Sequence, residues 1–394
     1  MTKSASAIIA ALTLALLGSA TVSAQQTVAV AVPAKAGAVD GTTENSDAFI
    51  WRLLTEFAAP VLSSRPSPVV FETWASDEDT FSTTPHWPGP GEPKKLHASV
   101  LGSMTSPAIK SPLQSSIDVP CATPGNAAVG GFPTSGTPKP CIAEETKRNR
   151  PQYDYIVSNN LNTKAGLAAA FAKSFVVAMP TTAISVKADW VPVQTLLQWI
   201  PQLGNIGNIQ KLYYTTTAAS VEYALVALHV SSRQNPNWVW GTFEHQMNPG
   251  RCDSIGCFDS FGAVIPAVFP NKSAVNTQYG ACPKTPPLKA LMTKANLSSV
   301  WENYCLKSTE VTYTAADGTP YALGNSVIER IVGNGTVSAS SCIACHVYAS
   351  FGSTGSPTAA ATAMLPYNPT GNPIPGVLAG SLQFDFMWGV LLAP

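Results

Sequence analysis

The clearest pattern of hydrophobic and polar positions lies in the middle of the chain. VEYALVALHVSS (221–232) and WVWGTFEHQ (238–246) are β-prone runs separated by RQNPN. Two such runs around an Asn/Pro turn predict an antiparallel hairpin. TTAISVKADW (181–190) alternates apolar and polar residues and predicts a strand, and KLYYTTT (211–217) predicts another. Helical spacing appears in DAFIWRLLTEFAAPVL (47–62), with Asp47 as its start. It recurs over 153–175, which ends before Pro180, in VQTLLQWIPQL (193–203), over 287–296 and in ALGNSVIERIV (322–332). Residues 64–152 are dense in Pro, Ser and Gly and read as irregular chain with short strands, and 248–320 return to loops. The first of these stretches is long enough to be expected to wrap a core built elsewhere. Mixed helices and hairpin-linked strands point to an α+β fold with an antiparallel sheet.

The N-terminus adds a location. Lys3 gives a positive start, Ile8–Leu17 an apolar run, and Val22-Ser23-Ala24 a small-residue cleavage site. Residues 1–24 therefore read as a secretory signal peptide cleaved after Ala24, which predicts export to a periplasm-like compartment. No later stretch reaches the ~18 uninterrupted apolar residues of a membrane span, so an integral membrane protein is not expected. Charged residues make up 12% of the chain, with 23 basic and 23 acidic, and 45% is hydrophobic. That balance argues against global disorder. The absence of a basic stripe argues against a nucleic-acid partner. Disulfides are allowed after export. Of eight cysteines, those nearest in sequence suggest the pairs Cys121–Cys141, Cys252–Cys257 and Cys282–Cys305.

The remaining two cysteines carry the chemistry. Cys342-Ile343-Ala344-Cys345-His346 is the C-x-x-C-H pattern of c-type haem attachment. Two thiols at this spacing can form thioethers with the two vinyl groups of one haem, and the adjacent imidazole can bind its iron. Cys342, Cys345 and His346 are thus expected to hold one covalent haem c, with His346 as iron ligand. A redox dithiol would be expected beside a βαβ pattern, which is missing. A zinc site would need a second ligand pair of matching spacing, which is also missing. No G-x-S-x-G, P-loop, G-x-G-x-x-G or H-E-x-x-H motif competes.

Several stretches together resemble a family of periplasmic proteins described broadly as cytochrome c family proteins. They are FETWASDEDTF (71–81), RPQYDYIVSNNLN (150–162), ISVKADW (184–190), LHVSSRQNPNWVWGTFEHQMNP (228–249) and SCIACH (341–346). The resemblance spans most of the mature chain and implies a monohaem protein with a large family-specific domain, without naming a substrate. The chain departs from the small cytochrome c plan, since only 48 residues follow His346. The expected organisation is a loop-rich domain over 25–320 and a small helical haem c module over 321–394.

The iron's second face is the open question. Besides His346 there are His86 and His97 in the irregular stretch, and His229 and His245 on the hairpin arms. A turn centred on Asn235 would set His229 opposite Gly241 and His245 opposite Leu225, both on one sheet face and ~13 Å apart. His245, beside Glu244, is the first candidate for the second metal ligand. His229, Met387, Met364, Met247 or an open position are the alternatives. His229, Trp190, Trp238 and Trp240 also suit plain core packing, and Lys187 could pair with Glu244. The leading function is periplasmic electron transfer. The alternative is a haem-dependent oxidoreductase, peroxidase- or oxygenase-like, with an open distal site served by His245 and Glu244. The redox partner protein and the oligomeric state are not written in the sequence.

Overall fold

In the computed structural model, residues 45–62, 67–98, 142–271, 273–274, 276–329, 340–364 and 370–394 are described. The signal peptide and the Cys121–Cys141 pair expected from sequence lie outside them. The first helix, α1 (Ser46–Phe57), is capped by Asn45, whose side chain accepts from the N–H groups of Asp47 and Ala48. Asp47 does not start the helix. Its carboxylate instead accepts from the Ser260 amide and hydroxyl and from Thr309. Two residues of strand, β1 (Ala75–Ser76), then one helical turn, α2 (Asp77–Thr80), precede β2 (His97–Ala98) and β3 (Ala143–Arg148). Helices α3 (Arg150–Ser158) and α4 (Lys164–Ala172) lead into β4 (Ile184–Pro192). The single helix expected over 153–175 is therefore two, parted where Asn160 takes a left-handed conformation at φ 55°.

Next come α5 (Val193–Trp199), α6 (Ile206–Leu212), β5 (Thr215–Ala218), β6 (Val221–Ser232) and β7 (Val239–His245). The expected strand at 211 begins late because Asn205 caps α6, accepting from the Asn208 amide. Short β8 (Cys257–Phe258) and β9 (Ala267–Val268), then α7 (Pro286–Lys294), precede β10 (Tyr304–Glu310). Four small elements complete the chain: α8 (Cys342–His346), β11 (Ser350–Phe351), α9 (Ala359–Thr362) and β12 (Leu382–Gln383). Cys252 and Cys257 lie at disulfide distance, as do Cys282 and Cys305, with Cα separations of 5.2 and 5.9 Å.

The main sheet is antiparallel, in the order β1-β3-β4-β6-β7-β10, with β2 also on β3 and β5 also on β6. The architecture is α+β. One sheet face is apolar: Val186, Ala188, Leu228, Val230 and Phe243 join Phe49, Ile50, Leu53 and Leu54 of α1 in a single core. Close approach of α1 depends on Gly241, where an added Cβ would stand 2.7 Å from Ile50. The opposite face is polar although largely buried. It carries Arg148, Lys187, Asp189, His229, Thr242, Glu244 and Glu310.

The hairpin register differs from the sequence expectation by one residue. His229 pairs with Thr242 and Ala227 with Glu244. Trp238, at φ 61°, belongs to the turn and not to the strand, and its N–H donates to Asn235. The loop thus gains one residue. Because side chains alternate along a strand, a one-residue shift moves a residue to the other face. His229 and His245 therefore point to opposite sides of the sheet.

Residues Lys35–Pro394 form one compact unit. Described residues from 321 onward pack on the polar face. Their helices are short, five residues in α8 and four in α9. Of the helix expected over 322–332, residues 322–325 are irregular, 326–327 form a turn and 328–329 are helical, and 330–332 lie outside the described residues. Among the described residues no helix is long and apolar enough to cross a membrane.

Candidate functional site

The C-x-x-C-H segment is folded as α8, and its two sides differ. Ile343 and Ala344 are buried in the core, whereas Cys342, Cys345 and His346 are half-buried. Positions three and four apart lie on one helix face, so the second side presents all three functional groups together. Ser341 caps the helix by accepting from the Ala344 amide. Glu310, at the end of β10, accepts from the Ser341 hydroxyl at 2.6 Å and the Ile343 amide at 3.1 Å. Burial raises the Glu310 carboxyl to about 7 against the opposing effect of these donors.

His346 is fixed from two directions. Its Nδ1 lies 2.7 Å from the Phe386 carbonyl oxygen, to which it donates, and its ring centre is 4.6 Å from that of Trp240. That hydrogen bond leaves Nε2 as the acceptor nitrogen of a neutral imidazole, the form a metal ligand requires. Its low-dielectric surroundings hold the ring's pKa at about 4, with smaller downward contributions from Lys187 and His229. The Trp388 indole donates to the Cys345 carbonyl at 3.2 Å and ties the C-terminal segment to α8.

Cys342 and Cys345 are free thiols, unlike Cys252, Cys257, Cys282 and Cys305. Burial raises the Cys345 thiol to about 12 and pushes Cys342 well above its ordinary value. A redox dithiol needs the opposite shift, toward a thiolate at neutral pH. Among the described residues no group of three or more His, Cys, Asp or Glu side chains is arranged around a bare metal ion.

A c-type haem fits the groups present: two unpaired thiols at the right spacing and a neutral imidazole with one nitrogen already committed. On the polar sheet face, His229 Nδ1, both Asp189 carboxyl oxygens and two guanidinium nitrogens of Arg148 are buried without hydrogen-bond partners. Buried polar atoms normally have partners, and these are among the described buried atoms that lack one. Burial, and the charge of Glu144 beside it, push the Asp189 carboxyl well above its ordinary value.

The structure separates the residues expected to face the iron. His245 is fully buried on the α1 side of the sheet, where its ring stacks on Tyr213 with centres 3.4 Å apart. Its Nε2 donates to the Leu212 carbonyl at 3.1 Å and its Nδ1 accepts from the Met247 amide at 3.2 Å. Neither nitrogen is left for a metal, and the assignment of His245 as second ligand is corrected accordingly. The expected Lys187–Glu244 pair is also absent. Lys187 pairs with Glu144 at 2.9 Å and Glu244 with Lys307 at 3.3 Å. Met387 is buried, with its sulfur 3.6 Å from the Ser185 hydroxyl. Met247 and Met364 pack against separate apolar clusters. His86 lies beside Asp79 and Glu92, and His97 sits on β2.

His229 does lie on the α8 side. Its Nε2 is 3.1 Å from Glu329, which also accepts from the Asn325 amide at 2.5 Å. Burial pushes the Glu329 carboxyl up, but His229, the Asn325 amide and Lys187 hold it below its ordinary value, so it is ionised. The 325–329 turn is anchored in its own right. Asn325 donates to Thr242 at 3.0 Å, and Glu244 accepts from the Ser326 amide at 2.8 Å and from its hydroxyl. Glu329, Phe386 and Glu310 were not evident as site residues in the sequence. Only the uncommonly acidic position in ALGNSVIERIV could have drawn attention to Glu329. No protein-family model matches the chain, and no curated protein and no solved structure does either.

Proposed function

We propose that this protein is an exported, monohaem c-type cytochrome that transfers electrons, held to its cofactor by Cys342, Cys345 and His346. One observation carries the reading. Among the described residues, the two cysteines outside the disulfide pairs share a helix face with a histidine whose Nδ1 is held by a backbone carbonyl. The resemblance to cytochrome c family proteins and the signal-like residues 1–24 support the same reading and a periplasmic location.

A bound haem supplies a one-electron ferric/ferrous couple. The protein's residues do the rest. Phe386 fixes the tautomer and direction of His346, which sets how strongly its Nε2 donates. Trp240 forms a wall against the imidazole, and Glu310 holds the helix that presents both thiols. The buried layer limits water, which shifts a couple toward the less charged state. No redox partner protein is assigned.

The second reading is a haem-dependent oxidoreductase with an open distal position. The half-buried Glu329–His229 pair favours it, because a histidine backed by a carboxylate is a ready acid–base group. Protein matured with an intact haem-attachment system, then taken through intact-mass measurement and a pyridine haemochrome spectrum, tests the proposal. One haem per chain, lost in Cys342→Ser/Cys345→Ser, is expected. Mature protein without covalent haem would overturn it. Rapid carbon monoxide binding to the ferrous form would move the assignment from carrier to oxidoreductase.

A further inference from the structure

The polar sheet face brings a second histidine to the side of the site that His346 occupies. His229 lies on β6, one strand from Trp240 of β7, against which the His346 ring rests at 4.6 Å. His229 and His346 each have one ring nitrogen anchored by an oxygen, Glu329 for one and the Phe386 carbonyl for the other. The remaining nitrogen of His229 is buried and has no partner. An imidazole oriented by a carboxylate through one nitrogen, with the other left bare, is the arrangement of a metal-binding histidine and its supporting group. A buried ring nitrogen left without a partner is disfavoured, so a purely structural histidine here would be poorly accommodated.

We propose that His229, oriented by Glu329, is the residue that takes the iron's second axial position opposite His346. This rests on the reading of the site as a haem c site. It resolves the choice between carrier and oxidoreductase in favour of the carrier, since two imidazoles close the coordination sphere. Glu329 acts as a positioning residue. Its negative charge makes the His229 imidazole a stronger donor, which favours the ferric state. The turn that carries it is held by Thr242 and Glu244, so the hairpin supplies both the ligand and the anchorage of its orienting partner.

Electron paramagnetic resonance and optical spectra of the haem-loaded protein test this, with covalent haem counted separately by intact mass. Wild type is expected to be low-spin in both oxidation states, to lack a sulfur-to-iron charge-transfer band and to bind carbon monoxide slowly. His229→Ala should keep its covalent haem, gain a high-spin ferric signal and bind carbon monoxide at least tenfold faster. His229→Met should return to low spin and gain the sulfur charge-transfer band. Glu329→Gln should stay low-spin while its midpoint potential rises. A high-spin wild type, or a low-spin spectrum unchanged in both His229→Ala and His229→Met, would overturn the assignment of His229 with haem attachment still intact. Absence of covalent haem from wild type would overturn the underlying reading, and this assignment with it.

Discussion

At the scale of single residues, the two hairpin histidines divide the work between structure and site. His245 is a core side chain: stacked on Tyr213, bonded at both nitrogens, and held neutral by burial at a pKa of about 3 against an ordinary 6.5. His245→Ala should lower unfolding stability by about 2–4 kcal/mol through the lost ring and the unpaired Met247 amide, with the haem spectrum unchanged. The sign of the pH dependence follows from the lowered pKa. Below 6.5 the unfolded chain takes up a proton that the folded ring refuses. The His245 contribution is therefore complete above pH 6.5 and is lost as pH falls toward 3. Denaturant titrations of wild type and His245→Ala should converge by about 1.4 kcal/mol per pH unit below that point. A gap independent of pH, or an altered haem spectrum, would return His245 to the site. The C-x-x-C-H group was legible because its chemistry lies in adjacent residues. Which of His229 and His245 lies on the α8 side of the sheet was not, because it turned on one residue, Trp238, entering the turn.

At the scale of elements, the strongest β-patterns were readable: β6 and β7 lie where alternation and β-branched residues put them. β3 (AEETKR) and β10 (YCLKSTE) were hidden in stretches read as irregular. Their charges pair with charges brought from elsewhere in the fold. Lys94 meets Glu145 and Glu72 beside β3, and Lys307 of β10 meets Glu244 of β7. A strand whose charges are neutralised by distant partners carries no local sign of burial. The Glu244–Lys307 pair is 0% and 1% exposed on its two side chains, and the Glu244 carboxylate also holds the turn leading to Glu329. Glu244→Ala should cost about 3–5 kcal/mol because it strands a buried ammonium. Glu244→Ala/Lys307→Met should recover much of that loss in equilibrium unfolding. It should still leave the 325–329 amides exchanging faster in hydrogen exchange, since Ser326 has lost its acceptor. A double variant as unstable as Glu244→Ala alone would mean that the loss comes mainly from the freed turn and not from the stranded lysine.

At the scale of the whole molecule, the described residues of the expected C-terminal module are tied to the larger part of the chain by long-range contacts. The sequence could not show this, because the tail is Pro- and Gly-rich and its contacts reach across more than 140 residues. Asp385 accepts from the Met179 amide, from Arg233 and from the Trp238 indole. Two of these partners belong to the turn that sets the β6–β7 register. The next residue, Phe386, supplies the carbonyl that fixes His346, and the Lys164 amide donates to the Pro394 carbonyl at 2.9 Å. One strip of chain thus holds both the turn that aims His229 and the ring of His346. The consequence is cooperative unfolding. Thermal unfolding of the haem-loaded protein should give a single calorimetric transition, coincident by far-ultraviolet and haem-region circular dichroism. A chain ended after Ser381 should lose that transition, not merely lose its haem. Likewise, residues 25–320 alone should fail to fold, because Leu323, Ile343, Phe384 and Val390 complete the core under α4 and the β6–β7 turn. Two resolved transitions, or a folded 25–320 fragment with protected β6 and β7 amides, would restore the modular arrangement. The register of the hairpin would then have to be set without Asp385.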